Sequence, residues 1–254
     1  MIRLINLNIK FIFINIFEFL FLQLSKTGFW NFKFSYKFFY YFYTKYKLFF
    51  EKKDILYIAS HIKPNSTILD IGANIGIYTH FFLKYSDHKS IILAFEADKK
   101  NYEILTKKFK NLKKIKCFNY IVSNTNGYGY LKKNLSNPTA HFIAESGEKI
   151  KSVKLDSIIN DNKKKVSLIK IDVEGAEALV LIGAKNIIKK NKPAIYLEYS
   201  AKRIKKYHKF DLISFLKKNK YKFYIRKYGK FTKISTNRLI KESNNNEVID
   251  FLCK

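Results

Sequence analysis

The stretch Asp70-Ile71-Gly72-Ala73-Asn74-Ile75-Gly76 sets two glycines and two polar side chains where an apolar run gives way to helical spacing. That arrangement suits a loop that holds a charged cofactor. Gly72 lets the backbone turn where a Cβ would clash, and Gly76 is expected to let the helix start lie close to the strand. The N–H groups of such a helix start are expected to be unpaired, ready for a carboxylate or other anion. A dinucleotide loop reads Gly-x-Gly-x-x-Gly, and here Asn74 replaces the middle glycine. Asp70, ahead of the first glycine, fits S-adenosylmethionine better, since that cofactor carries a free ammonium as well as a carboxylate. Glu96 closes the apolar run Ile91-Ile92-Leu93-Ala94-Phe95, 20 residues beyond Gly76. An acid there commonly accepts hydrogen bonds from ribose hydroxyls. The competing reading is a structural glycine turn followed by a solvated glutamate.

A second group of acids closes two further runs. Val166-Ser167-Leu168-Ile169-Lys170-Ile171 leads into Asp172-Val173-Glu174-Gly175-Ala176-Glu177, and Pro193-Ala194-Ile195-Tyr196-Leu197 leads into Glu198. Ligands of open parallel sheets sit outside the carboxyl ends of the strands. Asp172 and Glu174 therefore belong on the same rim as Gly72 and Glu96. Asp172 is the leading candidate for a general base, or for the group that orients an acceptor hydroxyl, with Glu174 and Glu198 on the substrate side. The structural alternative makes Glu174 and Glu177 caps of the following helix, where acids are favourable. His141 and His80 are the other candidate bases, being titratable nearer neutrality. Asp172 and Glu198 are hard oxygen ligands of the kind magnesium or calcium takes. Nothing in their spacing demands an ion, and no metal is assigned.

Positioning these groups calls for alternating strands and helices, the pattern of a mostly parallel sheet. Residues 54–62 and 98–111 read as helices, and residues 115–122 as a third strand. From 123 to 152 the pattern loosens around turn signals, which suggests a functional insert or lid. Residues 243–246 read as a polar loop before a last strand over 247–252.

Composition bounds the rest. The chain has 254 residues, 47% hydrophobic, enough for one sizeable domain plus an extension. Its net charge of +29 comes from lysines spread along the whole chain together with abundant Asn, Ile, Phe and Tyr, a coding-bias pattern rather than a patch. Nonspecific attraction to polyanions is expected at low salt, but no specific nucleic-acid partner. Two dispersed cysteines imply neither a metal nor a disulfide framework, and a reduced, cytoplasmic compartment is the simplest reading. Residues 1–53 form an aromatic, lysine-rich helical extension to a domain over 54–254, and between Phe29 and Phe50 14 of 22 residues are aromatic. The favoured reading packs those rings on the domain. The alternative places residues 11–50 at the inner face of an anionic membrane as a peripheral contact.

Taken together, Ile68-Leu69-Asp70-Ile71-Gly72-Ala73-Asn74-Ile75-Gly76-Ile77-Tyr78-Thr79, then Phe95-Glu96-Ala97-Asp98, Leu155-Asp156-Ser157-Ile158 and above all Ile169-Lys170-Ile171-Asp172-Val173-Glu174-Gly175-Ala176-Glu177 resemble the FkbM-type methyltransferases. Leu181-Ile182-Gly183-Ala184 and the run from Pro193 to Glu198 continue the likeness, which covers roughly residues 54–254. The resemblance implies a Rossmann-like class I methyltransferase fold, with a seven-stranded sheet whose last strand is antiparallel. It implies S-adenosylmethionine as cofactor and O-methylation of a sugar hydroxyl, in a cell-surface glycan or a secondary metabolite. Two departures stand. Ala97 replaces a common proline, and Ser123-Asn124 replaces a common Ser-Asp pair at which Ser123 would meet the cofactor's adenine side. The other functions open to this fold are a nucleic-acid methyltransferase and a noncatalytic module that retains it.

Overall fold

Strands covered on both faces must read as near-continuous apolar runs, and four such runs build the centre of this molecule. The computed structural model describes residues 51–132, 142–159, 164–200, 211–227, 230–245 and 248–254, with single positions before residue 51. The chain begins with α1 (Lys52–Ala59), β1 (Thr67–Ile71), α2 (Ile77–Tyr85), β2 (Ile91–Phe95), α3 (Lys99–Phe109) and β3 (Ile115–Phe118). Four short strands follow, β4 (Ile121–Val122), β5 (Gly127–Lys132), β6 (Phe142–Ala144) and β7 (Glu148–Val153). Then come α4 (Leu155–Ile158), β8 (Val166–Ile171), α5 (Glu177–Gly183), α6 (Lys185–Asn191) and β9 (Ala194–Tyr199). The chain ends with α7 (Leu212–Lys218), β10 (Phe223–Lys227), β11 (Lys230–Ile234), α8 (Thr236–Asn245) and β12 (Ile249–Cys253).

The main sheet has the order β11-β10-β12-β9-β8-β1-β2-β3. Pairing is parallel from β9 through β3, and β12 runs antiparallel to both β9 and β10. Alternate residues of each strand enter opposite cores. Leu69, Ile71, Ile169 and Ile171 pack with Val180, Leu181, Ile187 and Leu216 from α5, α6 and α7. Ile68, Ile92 and Leu168 pack on the other face with Ile58, Phe82, Leu105 and Phe109 from α1, α2 and α3. This is the expected Rossmann-like, mostly parallel sheet flanked by helices. Asp98 caps α3, its Oδ1 accepting the Asn101 N–H at 2.9 Å, and Asp211 caps α7 in the same way through the Ser214 N–H.

Four expectations change in detail. Among the described residues the sheet has eight strands, because β11 forms a hairpin with β10 and extends the edge beyond the expected seven; its lysines at 230 and 233 suit an edge strand. Residues 115–122 divide at Asn119, whose side-chain amide donates to the Glu96 and Ala97 carbonyls at 2.9 and 2.8 Å. That side chain takes the acceptors just beyond β2, so β3 stays in the main sheet while β4 starts another. The described residues of 123–152 are more regular than expected: they supply β5, β6 and most of β7, which with β4 form a second sheet of order β4-β7-β5-β6. Residues 243–245 are helical, because buried Leu239 and Ser243 anchor α8 and the Ser243 hydroxyl donates to the Ile240 carbonyl at 2.8 Å. Most of the N-terminal extension lies outside the described residues; Leu48 packs against Ile55, Ile75, Ile77 and Phe81.

The second sheet meets α5 at Gly183, the last residue of that helix. A Cβ there would lie 2.0 Å from the Ser123 carbonyl oxygen, which follows β4. Gly183→Ala is therefore expected to lower stability by about 1–3 kcal/mol. It should move the urea midpoint down without changing the slope, and an unmoved midpoint would mean the joint has slack.

Candidate functional site

β1 ends against the start of its neighbour's loop. Gly72 turns at φ +72°, and a Cβ on it would stand 1.8 Å from the backbone oxygen of Asp172. The N–H groups of Gly72 and Ala73 both donate to the Phe95 carbonyl at 2.9 Å, which ties the turn to β2. Asn74 is also left-handed at φ 50°, and its Oδ1 accepts the Ile75 N–H at 2.7 Å. Gly76, at φ +81°, has its ideal Cβ position 2.6 Å from both Leu105 and Phe109. Its small size thus serves the approach of α3 rather than that of the strand.

The amides of the turn that precedes α2 are already engaged. Asn74 N–H donates to Glu96 Oε2 at 2.7 Å, Ile75 N–H is taken by Asn74, and Gly76 N–H donates to the Ala73 carbonyl at 2.9 Å. Glu96 Oε1 accepts the Asp98 N–H at 2.9 Å. Each carboxylate oxygen keeps a second lone pair, so Glu96 remains an acceptor on the cavity wall. Burial pushes its pKa up to about 7, against the pull of the Asp98 and Asn74 N–H groups.

Lys170 was not singled out from the sequence, yet it sits at the centre of the site. It is 3% exposed, and its Nζ donates to the Gly72 carbonyl at 2.8 Å. It lies 3.3 Å from Asp172 Oδ2 and 3.7 Å from Asp70 Oδ1. Burial alone would lower the lysine pKa, but Asp172, Asp70 and Glu198 together hold it above its ordinary value. Asp70 is fully buried beneath the turn; Oδ2 accepts the Thr79 hydroxyl at 2.6 Å. The signal was available: one lysine, the sole charge in a fully buried strand, stands two residues before Asp172.

Beyond these strand ends lies an open cavity, walled by Gly72, Asn74, Glu96, Tyr120, Asp172 and Glu174, among others. Tyr120 belongs to an aromatic stack, 5.7 Å from Phe118, which lies 5.0 Å from Phe95. Five of the sequence-assigned residues thus share one cavity. Asp70 and Gly76 lie behind the turn and do not line it. Ser123 is buried off the wall, its hydroxyl donating to Asn124 Oδ1 at 3.2 Å. Glu198 stands beside the rim: Asp172, Glu174 and Glu198 each bring one oxygen within 4.8 Å of the others. His80 does not line the cavity, and His141 falls outside the described residues. Glu177 caps the turn after β8, accepting the Gly175 N–H at 3.0 Å, and burial raises its pKa to about 7. Val173 lies inside the motif that ends β8 without having been assigned a role, and Tyr120 on the wall carried no motif that could have marked it.

Residues 70–223 match the methyltransferase FkbM domain, more than half of the chain. The chain belongs to the FkbM methyltransferase family. No curated protein sequence matches it. Among solved structures it is similar to the methyltransferase FkbM of Methylobacillus flagellatus KT, at 18% identity and a TM-score of 0.49 over 76% of this chain. The chain spans 44% of that protein's length. It is also similar to a precorrin-6y C5,15-methyltransferase of Geobacter metallireducens GS-15, at 10% identity and a TM-score of 0.43, covering 78% of this chain and 85% of that one. A putative rRNA-methylase of Clostridium thermocellum aligns at 12% identity and a TM-score of 0.44, covering 80% and 93% of the two chains. In this FkbM-family chain the glycine turn, Glu96 and the acidic end of β8 converge on one cavity.

The same burial gives a pH signature. Glu96 and Glu177 titrate near 7 in the folded protein against 4.5 ordinarily, so folding favours their protonated forms. Their contribution is fully present below pH 4.5 and is lost as pH rises through about 7. Each carboxyl costs about 1.4 kcal/mol per pH unit across that window. Urea midpoints measured from pH 5 to 8, the range set by these shifts, should fall, and less steeply in Glu96→Gln. A variant slope equal to the wild-type slope would contradict this account of Glu96.

Proposed function

We propose that the chain is an S-adenosylmethionine-dependent O-methyltransferase acting on a sugar hydroxyl. The observation that carries the reading is Glu96: two backbone N–H groups fix its carboxylate at the end of β2, with acceptor capacity left on the cavity wall. That is the group a ribose diol needs. Gly72 keeps the turn free of a Cβ beside the cavity wall. Gly72, Asn74 and Glu96 would hold the cofactor, with Tyr120 and Val173 as apolar walls.

The sulfonium supplies an already activated methyl, so the protein's part is alignment and proton removal. Asp172 reaches the cavity from the end of β8 with its side chain 38% exposed, placed to accept a proton from an acceptor hydroxyl. Glu174 and Glu198 beside it add carboxylate acceptors for neighbouring hydroxyls, and a polyhydroxyl acceptor suits that rim better than a phosphate backbone does. Under the alternative reading of the lysine- and aromatic-rich segment before residue 51, the acceptor is a membrane-linked glycan and the protein sits peripherally at the inner membrane face. Among the described residues, no helix is long and apolar enough to cross a membrane.

Calorimetric titration separates the cofactors. S-adenosylmethionine should bind, NAD should not, and Glu96→Gln, which leaves the glycine turn its space, should weaken binding about tenfold or more while remaining folded. Transfer of labelled methyl to saccharide acceptors, absent with RNA, completes the expected result. NAD binding without S-adenosylmethionine binding overturns the cofactor, and label in RNA overturns the acceptor.

A further inference from the structure

Two charged residues interrupt the central strands on one face. Asp70 of β1 pairs in register with Lys170 of β8, and Lys170 with Tyr196 of β9. Their neighbours along β1 and β8 on that face, Ile68 and Leu168, are apolar and fully buried beneath α1, α2 and α3. A buried ion pair is an expensive way to fill such a position; well-packed apolar residues of similar volume often serve stability as well or better. A role confined to packing therefore does not account for a lysine at 170.

The contacts of its ammonium supply another role. Residues two apart on a strand share a face, so the Lys170 side chain lies on the side of Asp172 and, across the pairing, of Gly72. Nζ donates to the Gly72 carbonyl at 2.8 Å and meets Asp172 Oδ2 at 3.3 Å. Its remaining side faces Asp70 Oδ1 at 3.7 Å and the Tyr78 ring, with Nζ 5.3 Å from the ring centroid. Asp70 is itself held by Thr79 on α2. Gly72 and Asp172 are both cavity residues, one on the turn assigned to the cofactor and one assigned to the acceptor.

We propose that Lys170 is a positioning residue, whose ammonium fixes the Gly72 turn and the Asp172 carboxylate relative to each other so that one buried cation sets the geometry of both sides of the site. The inference rests on the cofactor reading above and adds a residue to it. Asp70 belongs to the device as the counter-ion that keeps the cation in place beneath the turn. Charge-assisted hydrogen bonds are the stronger ones, so losing the Gly72 contact loosens the turn as well as Asp172.

Lys170→Met alone leaves Asp70 buried without its cation, and this variant can fail for that reason alone. The double variant Asp70→Asn with Lys170→Met removes both charges. The test compares wild type, Lys170→Met and the double variant by thermal unfolding and by calorimetric titration with S-adenosylmethionine. The expected result is a double variant that regains most of the lost thermal midpoint yet binds S-adenosylmethionine about tenfold or more weakly than wild type. Wild-type affinity in the folded double variant would assign Lys170 to packing alone and overturn the proposal. A wild-type protein that does not bind S-adenosylmethionine overturns the cofactor reading first, and this inference with it.

Discussion

Parallel pairing of β1 with β8 brings the turn after one strand against the backbone after the other, with no room between them for a single carbon atom. Gly72 sits so close to the Asp172 carbonyl that any side chain would part the two strand ends. Everything of functional interest lies within reach of that contact. It aligns the turn with the acidic end of β8 and leaves Glu96 of the next strand facing the opening. It also places the Gly72 carbonyl where Lys170 can reach it. Apolar cores cover both faces of the sheet around the contact, with Asp70 and Lys170 the buried charges on one of them.

Electrostatics runs against stability at the same place. Glu96 and Glu177 are buried carboxyls whose charged forms the folded protein disfavours, and Asp70 is fully buried with Lys170 as its cation. None of these groups improves the core. Their distribution follows the cavity: Glu96 on its wall, Asp70 and Lys170 beneath it, Glu177 holding the turn that presents Asp172 and Glu174. Strain and desolvation collected at one rim are what a binding site looks like when the rest of the domain is well packed.

Much of this was legible from residue order. The glycine turn, the acid ending β2 and the acids ending β8 lie at one rim because parallel strands all present their carboxyl ends to one side. Local readings failed where the decisive partner was distant in sequence. The Asn74 amide finds its acceptor in Glu96, 22 residues away, and Gly76 looked like a strand contact because α3 comes later. Residues 115–122 read as one strand, since nothing in the run itself reveals that Asn119 binds the carbonyls beyond β2. Lys170 was passed over because a lysine in a lysine-rich chain carries little information until its burial is known.

The central claim is that the cavity between Gly72, Glu96 and Asp172 is the cofactor site. A crystal structure of the protein with S-adenosylhomocysteine tests it most directly. The account predicts the ribose hydroxyls within hydrogen-bond distance of Glu96, while Asn74 N–H and Asp98 N–H keep their bonds to the same carboxylate. A ligand bound elsewhere, or one in this cavity whose ribose does not touch Glu96, would contradict it.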